Sequence, residues 1–93
     1  MINISSKPRV SPAFAVEEFD GEILLYDETG AKAFYLNDTA NAVLQLCKED
    51  VSVAQIIDYL QQAYPDQQDS IEQDVMTVVK MLAENKVIEL FDE

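Results

Sequence analysis

Residues 31–47, AKAFYLNDTANAVLQLC, change from the period of a β-strand to that of an α-helix within two residues. The first six alternate as strand residues do, with neighbours suited to opposite faces of a sheet. Beyond them, apolar residues recur at the i, i+3, i+4 and i+7 positions of a helix: Ala40, Val43, Leu44 and Cys47. A side-chain oxygen of Asn37 or Asp38 can cap this helix. The chain must therefore fold with a strand that runs directly into a helix, which fixes one sheet edge against the helical part.

Two tight turns before this junction predict an antiparallel meander. Strands are expected at three places: 14–19, 22–27 and 31–36. Asp20-Gly21 separates the first two and is a strong hairpin signal, because glycine accepts the positive φ that a two-residue turn requires. A second turn ends at Gly30. Since consecutive strands joined by tight turns pair antiparallel, the third strand is expected at an edge of the sheet.

The alternation of the third strand assigns its side chains to two faces. Phe34 and Leu36 are expected to face the helices, and Ala33 and Tyr35 are expected to face outward. The free backbone edge of this strand would be a template for pairing with an extended peptide.

Two more helices are predicted after the junction. Ser52 and Gln55 form the pattern of a capping box, which opens the second helix. Ser70 and Gln73 form the same pattern and predict a third helix over about 71–85.

The third helix carries more apolar residues than one buried stripe requires. A core stripe is predicted at i, i+4, i+7 and i+11: Ile71, Val75, Val78 and Leu82. A second apolar strip is predicted beside it: Met76, Val79 and Ala83. The two strips together are interpreted either as a wide core face or as a core stripe with a groove wall, in which methionine supplies adaptable contact surface.

Strands followed by helices predict an α+β fold. The expected architecture is winged-helix-like, with a three-stranded antiparallel sheet followed by a three-helix bundle. Pro8 and Pro12 mark an extended leading segment, and the short apolar tail at 87–90 could pack or pair. With 93 residues, a single domain over 1–93 with a core of about 8–90 is expected.

The chain is poorly equipped for catalysis. It has no histidine and one cysteine, so the commonest general base and any cluster of zinc ligands are missing. Its two glycines stand alone in turns, and no phosphate-binding loop motif is present. The many carboxylates lie at predicted turns or strand faces, where solvated charge is the usual explanation. We expect no catalytic residue, no metal site and no cofactor.

The formal net charge is −12, from 18 acidic and 6 basic residues, and it repels phosphate backbones and anionic membranes. A winged-helix DNA reader needs Lys and Arg on its recognition helix, but residues 52–64 carry none. The third helix has only Lys80 and Lys86, against Glu72, Asp74 and Glu84. A nucleic-acid-binding regulator and an acidic adaptor subunit of an enzyme complex are the alternatives to a peptide-binding domain. Neither a signal peptide nor an apolar run of membrane-spanning length is present, so a cytoplasmic location is expected.

Several short features stand in order along residues 8–90. They are Pro8 and Pro12, Tyr35-Leu36-Asn37, Thr39-Ala40, Leu46-Cys47, Ser52-Val53, and Asp74-Val75 followed by Val78, Val79 and Leu82. Together they resemble the PqqD-like family, the RiPP recognition elements. The resemblance implies a domain that binds the leader region of a ribosomally synthesised precursor peptide. Such a domain presents the peptide to a modifying enzyme, such as a radical SAM protein or a leader peptidase.

The resemblance also implies where the leader would bind, as a strand added to the third strand and packed on the third helix. Backbone contacts would come from the third strand: Lys32, Ala33, Phe34, Tyr35 and Leu36. The groove wall would come from the third helix: Val75, Met76, Val79, Lys80 and Ala83. Lys32 and Lys80 are two of only six cations. We hypothesise that one or both meet acidic leader residues, the alternative being that they are simply solvated.

Overall fold

The computed structural model describes residues 3–29 and 32–91 of the chain. Its strands and long helices are β1 (Lys7–Val10), β2 (Phe14–Phe19), β3 (Glu22–Asp27), β4 (Ala33–Leu36), α1 (Asp38–Leu46), α2 (Val53–Ala63), α3 (Gln68–Glu84) and β5 (Ile88–Phe91). The predicted fold class is confirmed: a three-stranded antiparallel sheet, β2-β3-β4, is followed by three helices in a winged-helix-like α+β arrangement. The leading segment and the tail add a two-stranded antiparallel ribbon, β1 with β5.

The β2–β3 hairpin closes through the predicted two-residue turn. Asp20 and Gly21 both have positive φ, 51° and 77°, as a turn whose twist matches the flanking strands requires. Across the sheet, Leu25 of β3 pairs with Phe34 of β4, and both side chains lie on the face that packs against the helices. The second predicted turn ends at Gly30, which lies outside the described residues.

The junction between β4 and α1 is a single residue, Asn37. Its Oδ1 accepts a hydrogen bond of 2.8 Å from the backbone N–H of Ala40, so Asn37 caps the helix and Asp38 is its first residue. Val43 and Leu44 are then fully buried. The strand that runs directly into a helix is therefore confirmed, with Asn37 as the cap.

The capping box at the start of α2 is also confirmed. The backbone N–H of Gln55 donates to Ser52 Oγ at 3.1 Å, and the backbone N–H of Ser52 donates to Gln55 Oε1 at 2.8 Å. The N-terminal segment supports the same helix end, since the N–H of Val53 donates to the carbonyl of Ser6 at 3.0 Å. This contact anchors the chain before β1 to the helical part.

The predicted capping box at Ser70 is wrong. Helix α3 begins at Gln68, and Ser70 lies inside its first turn, where its hydroxyl donates to the carbonyl of Gln67 at 3.1 Å. A 3₁₀ turn over Pro65–Gln67 runs directly into α3. Because proline is preorganised for the first position of a helix, the proline and this turn set the helix start, ahead of the Ser70 signal.

The predicted core stripe of α3 is wrong at one position. Ile71, Val75, Val79 and Leu82 are buried, whereas Val78 is only half-buried. Both 71-75-78-82 and 71-75-79-82 satisfy a helical period, so the apolar pattern alone does not choose between them. Packing against the rest of the core decides for Val79.

The hydrophobic core lies between the inner face of the sheet and the helices. Leu25 and Leu36 contribute from the sheet and are 1% and 7% exposed. The ribbon closes the core from another side, because Ile88, the first residue of β5, and Val87 just before it are both buried. The N–H of Ser11, just after β1, donates to the carbonyl of Val87 at 2.8 Å and holds the ribbon in place.

Candidate functional site

Strand β4 is an edge strand. Among the strands formed by the described residues, only β3 pairs with it. Its side chains follow the predicted alternation: Phe34 and Leu36 turn towards the core, while Ala33 and Tyr35 are exposed, Tyr35 by 69%. One long side of β4 is therefore available for pairing with another strand.

The hydrogen bonds at the start of β4 determine which of its backbone groups face the free edge. The N–H of Asp27 donates to the carbonyl of Lys32 at 3.1 Å, so the main chain of Lys32 faces β3. Antiparallel ladders alternate every residue, so Phe34 and Leu36 also face β3. The N–H and C=O groups of Ala33 and Tyr35 point to the free edge. These two residues are the backbone partners that the edge offers, a narrower set than the predicted Lys32–Leu36.

The opposite edge of the sheet differs in charge. Strand β2 carries consecutive carboxylates, Glu17 and Glu18, and charged side chains protect edge strands from pairing. Strand β4 has the sequence AFYL and carries no charge. Of the two edges of this sheet, β4 is the one suited to accepting a further strand.

Lys32 links the start of β4 to the end of α3. Its Nζ donates a long hydrogen bond of 3.5 Å to the carbonyl of Asn85, the residue that caps the C-terminus of α3. Carbonyl groups at this end of a helix carry partial negative charge and attract a lysine ammonium. Lys32, the residue just before β4, therefore contacts the C-terminal end of α3.

The residues of α3 that were predicted to line a groove divide into two groups. Val75 and Val79 are 0% exposed, so neither side chain is accessible to a peptide, and their assignment to a groove wall is wrong. Met76 and Ala83 are half-buried against the core, and Lys80 is exposed. These three lie at i, i+4 and i+7, so they share one flank of the helix.

The other flank of the buried stripe carries Val78 and Met81, which are also half-buried against the core. Neither residue was predicted to belong to a site. The wide apolar face of α3 was the signal that could have identified them. From it, however, Val78 was predicted to lie in the core stripe, and Met81 was placed in neither strip.

The pKa values of Cys47 and Tyr26 are raised above their ordinary range. Burial raises the pKa of the Cys47 thiol to about 12, which makes it a poor nucleophile. The hydroxyl of Tyr26 donates a hydrogen bond of 3.0 Å to Glu17 Oε1 on the neighbouring strand. That bond, together with burial and the charge of Glu17, raises the pKa of Tyr26.

Other kinds of site find little support in the described part of the chain. Residues 3–29 and 32–91 contain no group of three or more His, Cys, Asp or Glu side chains that could hold a metal ion. None of the helices they form is long and apolar enough to cross a membrane. A winged-helix DNA reader needs cations on its recognition helix, and helix α2 exposes Asp58 and Tyr59 and carries no cation.

Two solved structures resemble this fold over most of its length. The lasso peptide synthetase B1 complexed with the leader peptide has a TM-score of 0.73 and 27% identity, and the match covers 89% of this chain and 98% of that one. TbiB1 in complex with the TbiA(beta) leader peptide has a TM-score of 0.71 and 23% identity, with coverage of 87% and 94%. No curated protein matches the chain.

The sequence model of the family described as Coenzyme PQQ synthesis protein D (PqqD) matches residues 22–88. This range runs from the first residue of β3 to the first residue of β5 and includes all three helices and the β4 edge. Because the match covers well over half of the chain, this chain belongs to the PqqD family.

Proposed function

We propose that this chain binds the leader region of a ribosomally synthesised precursor peptide as an added strand on β4, and presents it to a modifying enzyme. The observation that carries the proposal is the uncharged β4 edge, which β3 pairs on one side only among the described strands. The lasso peptide synthetase B1 and TbiB1, which share this fold, are both complexed with leader peptides.

Backbone pairing would supply part of the affinity. Ala33 and Tyr35 together offer two N–H donors and two C=O acceptors at the edge. Four hydrogen bonds at about 0.5–1.5 kcal/mol each contribute roughly 2–6 kcal/mol, whereas micromolar binding requires about 8 kcal/mol. Side-chain contacts must therefore supply the difference and also select the peptide.

A flank of α3 is suited to those side-chain contacts. Met76 and Ala83 are half-buried and leave part of their apolar surface exposed, and methionine adapts its shape to different partners. Lys80 lies between them on the same flank and would meet an acidic leader residue. In this proposal an extended peptide bonds to β4 through its backbone and places alternate side chains against α3.

The chain itself would perform no chemistry. It has no histidine, and its single thiol, Cys47, is buried with a pKa raised to about 12. The covalent step would belong to the partner enzyme, of which a radical SAM protein and a leader peptidase are examples. We place this assembly in the cytoplasm, where precursor peptides are made.

A titration tests the proposal directly. The ¹⁵N-labelled protein would be titrated with a synthetic leader peptide encoded beside its gene, and amide exchange with solvent would be measured at saturation. We expect the largest shifts at residues 33–36 and 76–83. The amides of Ala33 and Tyr35 should become newly protected, while the amide of Phe34, already bonded to β3, should be protected with or without peptide.

Other results would contradict the proposal. Shifts concentrated in 52–64, or the absence of binding at micromolar concentrations, would exclude strand addition on β4. A parallel titration with duplex DNA tests the alternative of a nucleic-acid regulator, because phosphate contacts give an affinity that falls steeply with salt. Binding to the enzyme without any binding to the leader would instead favour an adaptor subunit.

A further inference from the structure

The outer face of the sheet β2-β3-β4, turned away from the helices, carries exposed apolar side chains. Leu24 lies in its middle strand, between Glu17 and Tyr35, and is half-buried without belonging to the residues that pack on the core. Tyr35 is 69% exposed and Phe19 is 47% exposed. Apolar and aromatic side chains grouped on a solvent-facing surface are typical of a contact with another protein.

The same part of the chain is strongly acidic. Between Arg9 and Lys32 there is no lysine or arginine, but there are six acidic residues: Glu17, Glu18, Asp20, Glu22, Asp27 and Glu28. Strand alternation places Glu17 and Glu22 on the outer face itself. The hydroxyl of Tyr26, on the same face, donates a 3.0 Å hydrogen bond to Glu17 and orients its carboxylate.

We infer that this outer sheet face, formed by Glu17, Phe19, Glu22, Leu24, Tyr26 and Tyr35, is the docking surface for the enzyme that modifies the bound peptide. The inference rests on the proposed peptide-binding function. Charge complementarity specifies the occupant: a basic protein surface with an apolar centre, in which lysine or arginine meets Glu17 and Glu22 and an apolar side chain covers Leu24.

The position of this surface allows the peptide and the enzyme to bind at the same time. The peptide would occupy the edge of β4, in the plane of the sheet, whereas the enzyme would lie over one face of that sheet. A strand added to β4 continues the outer face, because side chains alternate across a sheet. An enzyme docked over Leu24 and Tyr35 would therefore also contact the outward side chains of the bound leader.

Charge reversal on the outer sheet face tests the inference. The probe is the purified peptide-modifying enzyme encoded beside the gene of this chain, and binding would be measured by calorimetry with saturating leader peptide. Glu17→Lys/Glu22→Lys should weaken enzyme binding at least tenfold and leave leader affinity within twofold. The matched control is Asp58→Lys/Asp66→Lys, which makes the same charge change at exposed positions on α2 and the 3₁₀ turn after it.

Two further variants separate charge from folding. Glu17→Gln/Glu22→Gln removes both charges at nearly constant size and should weaken enzyme binding about fivefold, even if the lysine variant fails to fold. Leu24→Ser should weaken enzyme binding by a similar factor and should leave the salt dependence of that binding unchanged.

Several results would overturn the inference. One is an equal loss of enzyme affinity in the Glu17/Glu22 variants and in the Asp58/Asp66 control. Another is an enzyme that does not bind the wild-type protein. A third is that Leu24 proves to mediate dimerisation of the chain. In each case an unchanged leader titration would leave the peptide-binding proposal standing, so the two failures are distinguishable.

Discussion

The backbone N–H of Asp27 donates a hydrogen bond of 3.1 Å to the carbonyl of Lys32. This contact determines which backbone groups along β4 face β3 and which face the free edge. Because ladder hydrogen bonds alternate along an antiparallel strand, the backbone groups of Ala33 and Tyr35 are directed to the free edge. Strand addition requires backbone groups of this kind at the edge. The same alternation applies to β2, where the N–H of Glu28 donates to the carbonyl of Ala13 at 2.9 Å. Glu18 therefore directs its N–H to the opposite free edge.

Proline at position 33 tests strand addition. Ala33→Pro removes an N–H that the sheet itself does not use, so we expect a loss of only about 1–2 kcal/mol in stability. It also removes a donor that the proposed added strand would use, and leader affinity should therefore fall at least tenfold. Isothermal calorimetry with the synthetic leader and urea unfolding measure the two effects.

A matched proline on the other edge provides the control. Glu18→Pro also removes an edge N–H, but on β2, and should leave leader affinity within twofold. If both prolines weaken binding equally, the peptide does not select β4.

Truncation at two adjacent valines tests the corrected stripe of α3. Val79 is 0% exposed, so Val79→Ala leaves a cavity in the core and should lower the free energy of unfolding by about 2 kcal/mol. Val78→Ala, at a half-buried position, should lower it by less than about 1 kcal/mol. Urea denaturation compares the two variants, and a larger loss at Val78 would restore the stripe predicted from sequence.

Local signals allowed much of the fold to be predicted. Asn37 caps α1, Asp20-Gly21 turns a hairpin, and Ser52 with Gln55 caps α2. Each of these features is formed by residues no more than four positions apart. All the residues that specify it can therefore be read from one short stretch of sequence. The α+β order follows from the same signals.

The features that escaped prediction depend on distant contacts. The β1–β5 ribbon pairs residues 7–10 with 88–91, and no local pattern specifies that pairing. The choice of Val79 over Val78 depends on what packs against α3. The choice of backbone groups that face the free edge depends on the register of β4 with β3. The sequence therefore predicted an edge strand without showing that Ala33 and Tyr35 direct their backbone groups to that edge.

Neutralising Lys80 tests whether the leader contributes an acidic side chain. Lys80 is exposed, so Lys80→Met should leave stability within about 0.5 kcal/mol. An exposed ion pair contributes about 0.2–1 kcal/mol, so leader affinity should fall by a factor of about 1.4 to 5 at low salt. Lys48→Met, at an exposed position after α1, is the control and should have no effect. Equal affinities for Lys80→Met and wild type at low salt would show that Lys80 is simply solvated.

The burial of Cys47 predicts how stability depends on alkaline pH. Burial raises the pKa of its thiol from an ordinary value of 9.0 to about 12, so the folded chain holds this proton at pH values where the unfolded chain loses it. The resulting stability is fully present below about pH 9 and is lost progressively as the pH rises towards 12. Urea unfolding of the wild type should show a lower free energy of unfolding at pH 10.5 than at pH 7. Cys47→Ala, although destabilised by its small cavity, should lack this difference between the two pH values.

In the folded wild type at pH 8, a thiol reagent should react with Cys47 only at the rate of unfolding. Rapid labelling, or the same alkaline loss in Cys47→Ala, would show that the thiol is accessible or that other groups cause the effect.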